Sequence, residues 1–353
     1  MYVILRFVKT DSPLMADKQE NINRSQIVLL RGSLLVFLLS LAPPMAVMAN
    51  SDSYLERADV QAWIDETVEK TSLDKAWVNQ QLSHATRQDS VIERISKPAE
   101  KTLNWGQYRK IFMKPKRIDA GRQFLAEHRE IFEKAEARYG VPASVIAAII
   151  GVETFYGRYK GKDQALSALA TLAFDYPRRS KFFAGELREF LLLVKEESLD
   201  PTEIRGSYAA AMGMPQFISS SYRNYAVDFD GDGKRDLWSS HADIIGSVAN
   251  YLSVHGWIAK DPVAERVKSG SSDYTSLLTE GLKPKLRRRQ LHSVGIRTQG
   301  YSEKEKSLMQ LETGDGNQLW VGFHNFYVIT RYNRSRLYAM AVHELSKALD
   351  ENV

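Results

Sequence analysis

The chain has 353 residues, 44% of them hydrophobic, which is enough to bury a core divided into two or three subdomains and excludes a disordered protein. It contains no cysteine, which excludes disulfides, thiolate metal sites and a cysteine nucleophile. The formal charge of +5 is a slight basic excess, and the densest basic run, Lys283-Pro-Lys-Leu-Arg-Arg-Arg289, lacks the interleaved aromatics of a base-stacking surface, so no nucleic-acid partner is expected.

Residues 1–49 read as a secretory signal region. Arg24 and Arg31 precede the apolar stretch Leu34-Leu-Val-Phe-Leu-Leu-Ser-Leu-Ala42, and Val47-Met-Ala49 leads into the polar Asn50-Ser-Asp. The polar lead before this stretch is long, and Met15 offers a second start. A membrane anchor is the competing reading, but Pro43-Pro44 ends the apolar core early, whereas a spanning helix needs about 20 residues. Cleavage would leave 43 basic against 40 acidic side chains, a balance compatible with a polyanionic wall polymer. With no cysteine to carry a lipid, the expectation is a periplasmic protein, monomeric and without a stable membrane anchor.

Residues 50–140 read as an N-terminal helical lobe, with amphipathic segments at 60–68, 73–82 and 123–139 and an interruption around Lys114-Pro-Lys. Residues 141–259 read as a catalytic core. Its first helix, 141–156, takes Pro142 in the first turn, stops at Gly157 and carries Glu153 as its only charge. Further helices are predicted at 165–172, 177–197, 215–225 and 242–255, with an acidic loop between the last two. Residues 260–317 read as a small inserted β lobe. Segments 308–312 and 318–323 look like strands flanking the turn Thr313-Gly-Asp-Gly316. Residues 318–353 return to the core, with a helix over 325–349.

Glu153 is the first chemical candidate. Val145, Ile146, Ile149, Ile150 and Val152 on the same helix would desolvate it, and desolvation favours the protonated carboxyl that can donate to a leaving glycosidic oxygen. The alternative is a helix-end glutamate turned to solvent or paired with Arg158. Segment 206–217 offers a hydroxyl, small residues and an amide, and Arg331-Tyr-Asn333 with Tyr338 adds rings and amides of the sort that line saccharide grooves. Asp163, Asp175 and Glu186 are the challengers for a second carboxylate, and each reads as a structural pair or cap.

The acidic loop Asp228-Phe-Asp-Gly-Asp-Gly-Lys234 has the spacing of an EF-hand. Asp228, Asp230 and Asp232 stand at positions one, three and five, Gly233 at six, and Lys234 offers its carbonyl at seven. Ser239 replaces the usual glutamate at twelve, and Asp236 is an alternative or water-mediated ligand. Calcium in a structural role is expected; the competing reading is a metal-free acidic turn. The seven histidines lack metal or triad spacing, and Ser219-Ser-Ser221 lacks the glycines of a nucleophile elbow.

Glu153-Thr-Phe-Tyr-Gly157, Ala168-Leu-Ala-Thr-Leu172 with Tyr176-Pro-Arg-Arg179, residues 206–217, 228–238, Gly246-Ser-Val-Ala-Asn-Tyr251 and 325–333 resemble, in order, the lytic murein transglycosylases of the B type. The resemblance covers about residues 54–349. It implies a mainly α, lysozyme-like (goose-type) catalytic core. It implies cleavage of peptidoglycan glycan strands between N-acetylmuramic acid and N-acetylglucosamine, with Glu153 as single acid/base. It also implies a substrate groove containing Ser207, Gln216, Tyr251, Tyr332, Asn333 and Tyr338, a late acidic calcium ligand at Asp243, and no organic cofactor. Cell-wall synthesis or division proteins would be its partners. A hydrolytic muramidase and a non-catalytic wall-binding scaffold are the rival readings.

Overall fold

The computed structural model describes residues 53–96 and 103–350, and the expected signal region lies outside the described residues. The early helices form where apolar residues recur on one face. In α1 (Ala58–Lys70), Val60, Trp63, Ile64 and Thr67 are buried at helical spacing. Asp74 caps α2 (Lys75–Leu82), accepting from the Trp77 amide at 2.9 Å. After α3 (Asp89–Ser96), α4 (Trp105–Phe112) opens on a reciprocal capping box between Asn104 and Gln107. Pro115 starts α5 (Pro115–Glu127), where its missing amide costs nothing. The segment expected as one helix over 123–139 is divided between α5 and α6 (Arg129–Tyr139), because the backbone leaves helical geometry at His128.

Next comes α7 (Ala143–Thr154), with every residue from Ser144 to Thr154 buried and Pro142 just ahead of the first turn rather than inside it. Strand β1 (Asp163–Gln164) leads into α8 (Ala165–Phe174) and α9 (Ser180–Glu196), and pairs antiparallel with β2 (Arg205–Gly206). Helix α10 (Ser219–Tyr225) begins later than the expected residue 215, because 206–217 fold as a loop closed by bridges Gly206–Met212 and Met212–Phe217. The acidic loop then leads into α11 (His241–Val254).

The small lobe is an antiparallel sheet in the order β3-β5-β4, from β3 (Ala264–Val267), β4 (Ser307–Thr313) and β5 (Gly316–Gly322), with α12 (Arg288–Ser293) in the β3–β4 connection. Leu308 pairs with Val321 and Met309 with Trp320. Alternation along the strands sends Leu308 and Val321 into a small cluster with Leu291 and Ile296, and Met309 and Trp320 into the main core. The expected lobe boundary at 317 therefore falls inside the central strand, and the sheet runs on to Gly322.

The helix expected over 325–349 is two, α13 (His324–Tyr332) and α14 (Arg336–Asp350), parted by the extended backbone of Asn333. Helices α5, α6, α11 and α14 pack around α7, and α13 packs on α11 and α14. Among the described residues no single helix is long and apolar enough to cross a membrane.

Candidate active site

Glu153 is the penultimate residue of α7 and is 2% exposed, which removes the solvent-facing alternative. The helix ends at Thr154 rather than at 156, because Phe155 (φ 52°), Tyr156 (φ 57°) and Gly157 (φ 85°) are successively left-handed. Such a conformation is strained for the two aromatic residues and needs support from around it. The Thr154 hydroxyl donates to the Met214 carbonyl at 3.1 Å and accepts from the Gly157 amide at 3.0 Å. The Tyr156 ring fills space that only glycine leaves, since a Cβ on Gly151 would stand 2.5 Å from its hydroxyl. These contacts fix the turn, and with it the carboxyl one residue before it. The Arg158 guanidinium lies over the rings of Phe155 and Tyr159, at 5.9 and 5.6 Å.

Tyr338, fully buried on α14, donates its hydroxyl to Glu153 Oε1 at 2.7 Å. Burial first, and then the negative charge of Glu153, hold the Tyr338 and Tyr332 phenols well above the ordinary tyrosine value, so both remain protonated. The Tyr332 ring lies nearly parallel to that of Tyr338, at 10° and 6.4 Å, and its hydroxyl donates to the Pro215 carbonyl at 2.6 Å. Tyr251 meets Tyr332 edge-on at 4.8 Å and donates to the Arg331 carbonyl at 2.7 Å. Asn333 is fully buried at the α13–α14 break.

Gln216 and Ser207 brace the 206–217 loop. Gln216 (φ 54°) donates to the carbonyls of Lys160 and Gly213 at 3.1 and 3.0 Å. The Ser207 hydroxyl accepts from the amides of Ala209 and Ala211 at 3.3 and 3.1 Å. Both side chains are thus engaged with their own loop's backbone, whereas Tyr332 and Tyr338 form the wall beside Glu153.

The rival carboxylates have structural partners. Asp163 takes two bonds from Arg94, at 2.8 and 2.7 Å. Asp175 accepts from Tyr54 at 2.7 Å and Arg57 at 2.5 Å. Glu186 accepts from the Ser220 amide and hydroxyl, at 3.0 and 2.7 Å, at the start of α10.

In the acidic loop, carboxylate oxygens of Asp228, Asp230 and Asp232 lie within 4.8 Å of one another. None of the three is ion-paired among the described residues. Asp228 accepts from the amides of Gly231, Asp232 and Gly233 at 2.7, 3.1 and 2.8 Å, and the Gly233 bond leads in holding its pKa below the usual range. Gly233, at φ 89°, makes the turn that position six requires. The Lys234 amide donates to Asp232 at 2.8 Å, and Ser239 donates to Asp236.

Asp243 stands outside the three-carboxylate cluster. Fully buried, it accepts from the Phe229 and Asp236 amides at 2.7 and 2.8 Å, tying the loop to the first turn of α11. The chemistry of the loop is that of a site for a hard divalent cation: three clustered anionic oxygens, a glycine turn and no internal cation.

A profile of the transglycosylase SLT domain matches residues 56–347. Over 320 residues the chain is 41% identical to the membrane-bound lytic murein transglycosylase B of Escherichia coli, spanning 88% of this chain and 87% of that protein. The chain belongs to the lytic murein transglycosylase B family. Its fold is similar to that of the soluble lytic transglycosylase SltB1 from Pseudomonas aeruginosa (TM-score 0.79, 43% identity, 82% of this chain and 98% of that one). It is likewise similar to the Escherichia coli lytic transglycosylase Slt35 in complex with calcium (TM-score 0.74, 43% identity, 82% of this chain and 92% of that one). The mainly helical, lysozyme-like architecture expected from the sequence is the one observed.

The sequence reading of this transglycosylase missed Tyr108. Buried on α4, it is a further phenol whose charge adds, after burial and the charges of Glu153 and Tyr332, to what holds the Tyr338 phenol above its ordinary value. A signal was present, in the Asn104/Gln107 box and in Trp105, Tyr108 and Phe112 at helical spacing.

Proposed function

We propose that this protein is a peptidoglycan lytic transglycosylase, cleaving the β-1,4 bond between N-acetylmuramic acid and N-acetylglucosamine and leaving 1,6-anhydromuramic ends. The observation that carries this reading is Glu153, a carboxyl 2% exposed that accepts from Tyr338 at 2.7 Å, in a chain of the lytic transglycosylase family. Burial among apolar residues favours the protonated acid. A two-carboxylate mechanism would need a second acid about 5 Å away, or about 6.5–9.5 Å for inversion. The candidates for that second acid, Asp163, Asp175 and Glu186, are engaged in structural contacts.

Glu153 donates its proton to the departing N-acetylglucosamine oxygen as the bond from the muramic anomeric carbon breaks. The 2-acetamido oxygen of the substrate stabilises the oxocarbenium centre, so a protein nucleophile is unnecessary. The Glu153 carboxylate then takes the proton of the muramic C6 hydroxyl, whose oxygen bonds to the anomeric carbon and closes the anhydro ring. Glu153 ends protonated, and no water is consumed. Tyr338 fixes the carboxyl throughout. Tyr251 and Tyr332 offer ring surface to the sugars, and Ser207, Gln216 and Asn333 shape the groove and its loop.

Asp228, Asp230, Asp232 and the Lys234 carbonyl would hold calcium, with Asp243 bracing the loop; the ion would supply structure, fixing the loop on α11. The calcium complex of the relative Slt35 supports this assignment. The relative from Escherichia coli is membrane-bound by name, whereas this chain has no cysteine for a lipid; we read it as a periplasmic enzyme acting on glycan strands.

The test is mass spectrometry of peptidoglycan digested with the protein and with Glu153→Gln. Anhydro-muropeptides from the unmodified protein alone are expected. Reducing muropeptides would make it a hydrolase, and no soluble product from either protein would make it a binding protein.

A further inference from the structure

The inserted lobe carries a cationic face that the reaction does not use. Residues 281–302 hold six Lys/Arg, at 283, 285, 287, 288, 289 and 297, and no Asp or Glu. With these six set aside, the 48 basic side chains of the chain fall to 42 against 43 acidic ones, so the whole basic excess resides in this one segment. All six are exposed, and none is ion-paired among the described residues. Other exposed arginines have a carboxylate of their own, as Arg87 has Asp89 and Arg109 has Glu344.

The fold holds this face outward. Leu286 bridges to Lys306, and Leu286, Leu291 and Ile296 pack with Leu308 and Val321 on one side of the sheet, whereas Met309 and Trp320 on its other side join the main core. Helix α12 and the stretch before it therefore cover the side of the sheet turned away from that core, with Lys285 and Arg287 exposed on either side of buried Leu286. The cations act on one another. Desolvation and then Arg297 and Arg288 hold the His292 imidazole below its ordinary pKa, and burial followed by Arg288 does the same to Lys306, against Glu303 and Asp261. Arg288 lies 5.2 Å from the ring centroid of Tyr301, which is 58% exposed.

Like charges gathered without an internal anion repel, and an anionic partner relieves that repulsion. A single small anion would need nitrogens aimed into one pocket, whereas these side chains stand in solvent on an outer face, the arrangement that meets a sheet of charges. Tyr301 narrows the partner. An exposed ring with an apolar body and a polar tip suits the boundary between headgroups and acyl chains, where tyrosine is enriched. We propose that the outer face of the inserted lobe, built on the cations of residues 283–297 with Tyr301 beside them, docks the enzyme reversibly on an anionic phospholipid surface. Docking sets where the enzyme works and leaves the chemical step alone, so it goes beyond the function proposed above and does not depend on it.

The experiment sediments the protein with vesicles of phosphatidylcholine alone and of phosphatidylcholine and phosphatidylglycerol in equal parts. The readout is the ratio of the two partition coefficients, in which apolar contributions, alike for both vesicles, cancel. Each cation near an anionic surface contributes about fivefold, so Arg287→Gln/Arg288→Gln/Arg289→Gln should lower the ratio about 100-fold. Added salt should lower it too. Arg287→Lys/Arg288→Lys/Arg289→Lys should stay within about threefold of the parent, because charge and not the guanidinium fork is read. Lys110→Gln/Lys114→Gln/Lys116→Gln, which removes as much charge from exposed positions outside the lobe, should also stay within about threefold. Near-ultraviolet circular dichroism confirms the fold of each variant. A ratio near one for the parent, or an unchanged ratio in the first triple variant, would make the face a solvated surface. An equal loss in the Lys110/Lys114/Lys116 variant would reduce the effect to net charge. Binding to lipid-free peptidoglycan that the first triple variant loses, with no preference between vesicles, would make it a polymer-binding face. Each of these outcomes overturns the proposal.

Discussion

Replacing Tyr338 by Phe removes one hydroxyl from a fully buried ring and leaves the packing of α14 on α7 in place. The lost bond joins a protonated phenol to Glu153 Oε1 at 2.7 Å, with the two residues 0% and 2% exposed. A hydrogen bond to a charged group contributes about 1.5–3 kcal/mol, and burial puts this one toward the top of that range. The loss falls when Glu153 is a carboxylate and must take the C6 proton. At about 1.4 kcal/mol per decade, kcat should drop roughly 10- to 100-fold with KM nearly unchanged. The assay is steady-state release of anhydro-muropeptides, with near-ultraviolet circular dichroism confirming the fold. A variant that keeps its near-ultraviolet spectrum and turns over within twofold of the parent would refute the assignment of Tyr338 as the group that positions Glu153.

Three further outcomes follow from the geometry. Calcium at 100 times its Kd should stabilise the fold by about 2.7 kcal/mol, seen as a chelator-reversible rise in Tm by calorimetry; no shift up to millimolar calcium would leave the acidic loop a metal-free turn. Gly246→Ala places a Cβ 2.6 Å from the Phe229 ring of that loop, so it should cost about 1–3 kcal/mol in urea unfolding and weaken the calcium response. His343 is buried, and burial, followed by Lys347, pushes its pKa down to about 4. The unfolded chain therefore binds the extra proton first, so stability should fall as pH drops from about 6.5 to 4, by on the order of 3 kcal/mol at most. His343→Leu should flatten that part of the profile, and an equally steep one would refute the assignment.

The fold was legible wherever the determining pattern is local. The apolar face of α1 and the continuous apolar run of α7 announce helices, whereas Lys114-Pro-Lys, which reads as an interruption, is where α5 begins. The ends were misread where distant contacts override propensity. Nothing in Phe155-Tyr156 signals two left-handed residues; Thr154 bonded to Met214, and the glycine-lined space for the Tyr156 ring, impose them. The loop over 206–217 and the break at Asn333 are likewise held from outside, Tyr332 reaching the Pro215 carbonyl across 117 positions. The short helix α3 gives too few turns for periodicity to register.

The site divides along the same line. Glu153 as the only charge on an apolar helix, and the aspartates at alternate positions around glycines, can be read within single windows, and the structure gathers the three loop carboxylates within 4.8 Å. The groove residues come from four separate segments; those in 206–217 and 331–338 show sugar-compatible hydroxyl, amide and ring groups locally, whereas Tyr251 is implied by the family resemblance alone. Tyr338 is 185 positions from Glu153, and no local pattern marks it as the partner. Asp243, which the resemblance implies as a late metal ligand, has its two oxygens on the Phe229 and Asp236 amides. A buried carboxylate at a helix start can serve either an ion or the backbone, and which it serves depends on where the loop amides point. Residue type fixes what a side chain is able to do, whereas the partners that decide what it does here are supplied by tertiary packing.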